Sequence, residues 1–231
     1  MKIKTIAFDA DDTLWVNEPF FREAEEKFAS LLEDYLPVHS SLKELYTREI
    51  TNLPVYGYGI KGFMLSMIET AMEITSNNLP DQMIQSIIQI GRDMLAKPVE
   101  LLPGVEELLQ KLNGDFRLVL ATKGDLLDQE RKLKKSGLEK YFHHIEIMSE
   151  KKTANFQKLV KHLDIAPKQF LMVGNSLKSD ILPVLDLGGH AIHIPFHITW
   201  VHERIEHEVK HPNFREAEKL SEVFDLISEM T

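Results

Sequence analysis

The residues best suited to chemistry stand near the head of the chain, where Asp9, Asp11 and Thr13 alternate within Phe8-Asp9-Ala10-Asp11-Asp12-Thr13. Carboxylates packed this tightly repel one another, and the repulsion costs stability unless a cation neutralises it. A hard divalent ion with oxygen ligands, most simply Mg2+, is the natural remedy. A plain Asp-rich turn would account for this segment taken alone, but later segments supply complementary groups. Ala121-Thr122-Lys123-Gly124 offers a hydroxyl and a Gly-opened backbone, a suitable cradle for phosphate oxygens. Glu150-Lys151-Lys152 offers an ammonium that could neutralise both a phosphate and the crowded aspartates. Gly174-Asn175-Ser176-Leu177-Lys178-Ser179-Asp180 brings a further carboxylate, Asp180, able to complete a magnesium site already holding Asp9.

The elements that must position these groups can be read from the apolar pattern. Short apolar runs over Ile3–Phe8, Arg117–Ala121, Ile145–Met148, Phe170–Gly174 and His190–Pro195 read as buried strands. Each of the first four ends on one of the segments above, so the polar groups gather at the carboxyl edge of a sheet, where open α/β sheets hold ligands. Helical stripes separate the last four strands: Val105, Leu108, Leu109 and Leu112; Phe156, Leu159, Val160 and Leu163; and Ile181, Val184 and Leu185. Gly137 and Gly188 fall where helices should stop. Alternating strands and helices predict right-handed crossovers and a parallel sheet covered on both faces. Between the first two strands the rhythm changes. Phe21, Ala24, Phe28, Leu31 and Tyr35 form one stripe, Met64, Ile68 and Ala71 another, and Ile84, Ile87, Ile88 and Leu95 a third, with Pro54 and Pro80 as punctuation. Such a block is too long for an ordinary crossover. The expected architecture is a Rossmann-like parallel α/β core, 1–15 and 97–231, with an all-helical domain inserted over 16–96, and a closing helix from about Leu220 to Met230.

Composition bounds the function. A chain of 231 residues with 43% apolar residues and mixed charges is globular. Its net charge of −9, with no basic run to offset it, argues against nucleic-acid or anionic-membrane partners. The absence of cysteine removes disulfides, thiol catalysis and Cys-ligated zinc, and it fits a reducing compartment. Met1-Lys2-Ile3-Lys4 leads into the first strand without an apolar signal region, and no apolar run approaches the roughly 20 residues of a membrane span. A cytoplasmic location is expected.

In its order of motifs, Asp9-Ala10-Asp11-Asp12-Thr13, then Thr122, then Lys151 or Lys152, then Gly174-Asn175 through Asp180, the chain resembles the haloacid dehalogenase superfamily. The likeness is to phosphatases with a helical cap after the first motif, and it covers nearly the whole chain. It implies that Asp9 attacks phosphorus and that Asp11 acts as general acid and then base. Thr122 and the lysine would hold the phosphoryl oxygens, and Asp9, the Asp11 carbonyl and Asp180 would hold Mg2+. Chemistry supports such roles, since an aspartyl phosphate replaces one hard step by two easier ones. A carboxyl can protonate a leaving alkoxide and then deprotonate water, and Mg2+ with lysine supplies charge stabilisation. Two departures stand out. Asn175 occupies a place often held by an acid, where it can still offer an oxygen or an NH near the metal, and Lys151-Lys152-Thr153 replaces a frequent Lys-Pro. Lys151 is preferred, because Glu150 before it and Phe156 after it match the spacing of similar members.

Other patterns are set aside. Gly57-Tyr58-Gly59-Ile60-Lys61-Gly62 matches GxGxxG but sits among helices instead of after a parallel strand, so it reads as a loop opening a helix near Phe63. Tyr58 and Lys61 could then face the substrate. His190, His193, His197, His202, His207 and His211 match no HExxH spacing and read as surface or core residues, and Asp34, Glu69 and Glu73 as solvated helix-face charges. The expectation is a Mg2+-dependent phosphomonoester hydrolase, monomer or homodimer, acting on a small phosphate ester, with Thr13, Lys123 and Gly124 also lining the substrate. The alternatives are a sugar-phosphate mutase, a dehalogenase of the same fold, or a phosphate-ligand binding protein without turnover.

Overall fold

The structure, a computed structural model, describes residues 2–230. Six parallel strands form one sheet: β1 (Thr5–Phe8), β2 (Arg117–Lys123), β3 (His144–Met148), β4 (Phe170–Gly174), β5 (His190–His193) and β6 (Phe214–Glu216), in the order β3-β2-β1-β4-β5-β6. The first four strands and β5 stand where apolar runs placed them. β6 was not anticipated, because Phe214-Arg215-Glu216 is short and only half-buried.

Strands buried on both faces need apolar side chains on both, and the alternation along β1 and β2 divides them accordingly. Phe8, Leu118 and Leu120 pack in the cluster shared with α5 (Val105–Leu112) and α9 (Leu220–Met230). Ala7, Val119 and Ala121 pack on the other face with α7 (Thr153–His162) and α8 (Leu182–Asp186). The helix after β2 is α6 (Leu126–Ser136).

The chain forms two compact units. The sheet belongs to the one built from the chain up to Val16, Val99–Lys123 and the chain from Gln129 onward. The other comprises Asn17–Pro98 together with Gly124–Asp128, the segment that opens α6 and that the sequence reading assigned to the core. This second unit contains α1 (Glu18–Leu31), α2 (Val38–Tyr56), α3 (Ile60–Ile74) and α4 (Asp81–Ala96) around Phe28, Leu45, Phe63, Met67 and Ile87. Two expectations are corrected here. Pro54 lies inside the last turn of α2 instead of ending a segment ahead of it. α3 begins at Ile60, not near Phe63, because Gly57 (φ +72°) and Gly59 (φ +109°) reverse the chain at once after Tyr56.

Where the chain leaves and re-enters the sheet unit, the two passages pair. Val16 N–H donates to Glu100 O (2.9 Å) and Leu102 N–H to Leu14 O (2.9 Å), with Trp15 opposite Leu101. Among the described residues, no helix is long and apolar enough to cross a membrane.

Candidate active site

Asp9 is the first residue beyond β1, and its N–H donates to Val173 O on β4 (2.9 Å), so the central strand pair fixes its backbone. The chain then turns tightly. Thr13, Leu14 and Trp15 all direct their N–H groups at Ala10 O (3.2, 2.8 and 3.3 Å), and Asp12 takes a left-handed φ of +61°, which Asp tolerates better than most residues. The turn brings the Thr13 hydroxyl to Asp9 Oδ2 (3.2 Å).

Lys151 is buried at the end of the loop after β3, and its Nζ donates to Asp9 Oδ1 (2.5 Å) and to Asp180 Oδ1 (2.6 Å). Lys152 points outward, its side chain 74% exposed and its ammonium 3.8 Å from Glu150. Burial pushes the Asp9 carboxyl up to about 7 against the pull of Lys151, and the negative charges of Asp180 and Asp11 add to the rise. Burial works to lower the Lys151 ammonium as well, but Asp180 and Asp9 outweigh it and hold it above its ordinary value.

Asp180 lies in a π-helical turn, Leu177–Ile181, whose Ser176 hydroxyl caps Ser179 N (3.0 Å). Such turns are rare and gather at functional sites. Asp180, expected as a cation ligand, accepts from Lys151 at Oδ1 (2.6 Å) and from Ser176 N–H at Oδ2 (3.0 Å), one donor on each oxygen. Gly174 makes room for it, since a Cβ there would stand 2.4 Å from Asp180 Oδ2.

Asn175 presents one edge of its amide to Asp9 Oδ2 (3.2 Å), Thr13 Oγ1 (3.2 Å) and the main-chain oxygen of Asp11 (3.3 Å). With nitrogen on that edge the amide faces three acceptors; with oxygen there, the Thr13 hydroxyl donates to it (3.2 Å), and it stands with the Asp9 and Asp11 oxygens as a set that a cation could join. A carboxylate, a main-chain carbonyl and an amide oxygen form a hard-ion donor set that fits Mg2+. Among the described residues, no group of three or more His, Cys, Asp or Glu side chains could hold a metal ion, so such a site draws on main-chain and amide oxygens. The Asn175 backbone is itself fixed: its N–H donates to Thr13 Oγ1 (3.1 Å), and its carbonyl meets His193 Nε2 (3.0 Å), whose Nδ1 faces Glu216 (3.1 Å).

The Asp11 carboxylate takes three donors: Trp15 Nε1 (2.6 Å) and Lys132 Nζ (2.6 Å) on Oδ1, and Gln129 Nε2 (2.9 Å) on Oδ2. The Gln129 amide also meets Thr122 Oγ1 (3.1 Å), so the buried Thr122 hydroxyl joins Asp11 through Gln129. Lys123, expected to hold substrate, is paired with Glu203 and donates to Ser179 Oγ (3.0 Å). Glu203 also accepts from Ser176 Oγ (2.5 Å) and Ser179 Oγ (2.6 Å); burial alone would raise its carboxyl, yet Lys123 and the two hydroxyls hold it down at about 2. Gly124, Tyr58 and Lys61 belong to the helical unit, where Lys61 pairs with Asp125 (2.9 Å).

Sequence reasoning missed Trp15, Gln129, Lys132, His193 and Glu203. Only Gln129 and Lys132 left a signal, two polar residues three apart on the same side of α6 as the buried Leu133.

A family model described as haloacid dehalogenase-like hydrolase matches residues 3–188. Among solved structures, a haloacid dehalogenase-like family hydrolase from Xanthomonas campestris is 38% identical, with a TM-score of 0.89 over 99% of this chain and 91% of that one. A 2-haloacid dehalogenase from Pseudomonas syringae (20% identity, TM-score 0.66, 99% and 100% covered) shares the fold. So does a predicted phosphoglycolate phosphatase from Haemophilus somnus (17%, TM-score 0.63, 98% of each chain). No curated protein matches the chain.

Proposed function

The chain belongs to the haloacid dehalogenase-like hydrolases, and from that premise we propose that it is a Mg2+-dependent phosphomonoesterase for a small phosphorylated metabolite. The observation that carries this reading is the convergence of Asp9 Oδ2, the Asp11 carbonyl and the Asn175 amide edge within 3.2–3.3 Å, beside a second carboxylate at Asp11. A dehalogenase of this fold shares the nucleophile but requires neither that cation site nor a carboxylate like Asp11.

In this reading Asp9 Oδ2 or Oδ1 attacks phosphorus and the ester oxygen departs with a proton from Asp11. Water then adds to the aspartyl phosphate while Asp11 takes its proton, phosphate leaves, and Asp9 is restored. Lys151 reaches the nucleophile directly and supplies positive charge where negative charge gathers. Thr13 holds Asp9, and Thr122 contributes a hydroxyl next to Gln129. Asp9, Asp11 through its main chain and Asn175 would hold Mg2+, which screens the phosphoryl oxygens from the attacking carboxylate.

The test is para-nitrophenyl phosphate with and without Mg2+, alongside a haloacid assay. Metal-dependent release of phosphate is expected. Halide release without phosphate release would transfer the chain to the dehalogenases, and tight phosphate binding with no turnover would make it a binding protein.

A further inference from the structure

The environment of Asp11 is more specific than the proposed reaction requires. Each carboxylate oxygen has two lone pairs for donors. On Oδ1 both are taken, one by Trp15 Nε1 and one by Lys132 Nζ, each at 2.6 Å. Among the described residues, Oδ2 receives Gln129 Nε2 alone (2.9 Å), which leaves one lone pair for a further partner. Lys132 and Gln129 stand three residues apart on α6, a spacing that sets both side chains on one face. Trp15 and Gln129 are buried and the Lys132 side chain is 16% exposed, so water competes weakly for these bonds.

We propose that Lys132, with Gln129, is a positioning residue that reserves Asp11 Oδ2 as the oxygen that exchanges the proton. This inference rests on the phosphomonoesterase reading. When the bond from phosphorus to the ester oxygen breaks, the proton on Oδ2 passes to that oxygen. When water bonds to phosphorus and the bond to Asp9 breaks, a proton returns from the water to Oδ2. Occupation of Oδ1 keeps the carboxyl from turning its protonated oxygen away.

Gln129 shows that the arrangement is held at some cost. Its nitrogen faces Asp11 Oδ2, Thr122 Oγ1 and Lys123 O, which fixes the amide's orientation, and its buried Oε1 has no hydrogen-bond partner among the described residues. A buried acceptor left unmatched is costly, and a side chain selected for packing alone would be expected to avoid it. The orientation serves Asp11 together with Thr122 Oγ1 and Lys123 O.

The test is kcat/KM, with Mg2+ present, for a series of aryl phosphates whose leaving phenols grow steadily more basic, from para-nitrophenol to para-methoxyphenol. This parameter reports the step in which the leaving oxygen needs a proton, and that need grows with its basicity. Lys132→Met should steepen the decline along the series by on the order of tenfold between its two ends. Lys132→Arg, which keeps a charged donor, should restore the wild-type slope. Gln129→Leu should also steepen it, and it reads the same slope if Lys132→Met does not fold. A parallel loss for every ester, or an unchanged slope, would overturn the positioning role while leaving the phosphatase reading intact. Wild-type protein that releases phosphate from none of the esters would overturn that reading itself.

Discussion

Removing the Lys151 ammonium would leave Asp9 and Asp180 buried without their shared counter-charge. Breaking a buried pair in this way costs about 3–5 kcal/mol, so Lys151→Ala should lower the melting temperature as well as cut phosphate release by on the order of 100-fold or more. Lys152→Ala should change neither, because an exposed pair at this distance contributes little. Thermal melts and initial rates on both variants decide the matter. Asp9→Asn should abolish turnover and leave circular dichroism unchanged. The Asp9 carboxyl is raised to about 7 in the fold from an ordinary value of 3.8. Its contribution to stability is therefore full below the unfolded value and is lost as pH rises through about 7. In metal-free protein, the stability of wild type relative to Asp9→Asn should fall between about pH 3 and pH 8, a range bracketing 3.8 and about 7. A flat difference would contradict the raised carboxyl.

The turn from Val201 to Glu203 shows how a short element can govern a strand end. Glu203 ties together Lys123 at the end of β2 and Ser176 and Ser179 beside the π-helical turn. Its carboxyl is held at about 2, so it contributes stability above its ordinary value of 4.5, and that contribution is lost as pH falls from 4.5 toward 2. Glu203→Gln should flatten that acid limb in a pH series of thermal melts; a limb identical to wild type would sever Glu203 from the loop's stability. The same elements mark what the sequence discloses. Motif residues at strand ends are legible because a parallel sheet needs apolar runs and places polar groups at or past their ends, so Asp9, Thr122, Lys151 and Asp180 can be located from the sequence. Glu203 and His193 were not legible. Glu203 lies 80 residues from Lys123 and in no periodic element, and His193 sits in an apolar run where a core role explains it equally well. Gln129 and Lys132 fell between, polar residues on a helix that also buries Leu133. Helix α2 escaped because its buried side is sparse, with Ser41, Leu45 and Asn52 as its fully buried residues.

At the scale of the whole molecule, a ligand that binds only the folded state stabilises all of it, by about 2.7 kcal/mol at a hundredfold excess over Kd. Mg2+ should therefore raise the melting temperature of the wild type without any substrate, and Asp9→Asn and Asn175→Ala should each remove the rise. An undiminished rise in both variants would place the ion elsewhere. The sheet order has a different kind of consequence. Among the described residues β1 pairs with β2 and β4, whose partner residues begin at Arg117 and Phe170. A ribosome adding about 5–20 residues per second finishes β4 on the order of ten seconds or more after β1 emerges. The strand that leads into Asp9 is thus made first and waits for both of its neighbours, while Asn17–Pro98, with its own apolar cluster, can condense on the nascent chain. The interval leaves an apolar, β-prone segment unpaired, and the carboxylates of Asp9, Asp11 and Asp12 next to it act as charged gatekeepers against its premature association with other chains.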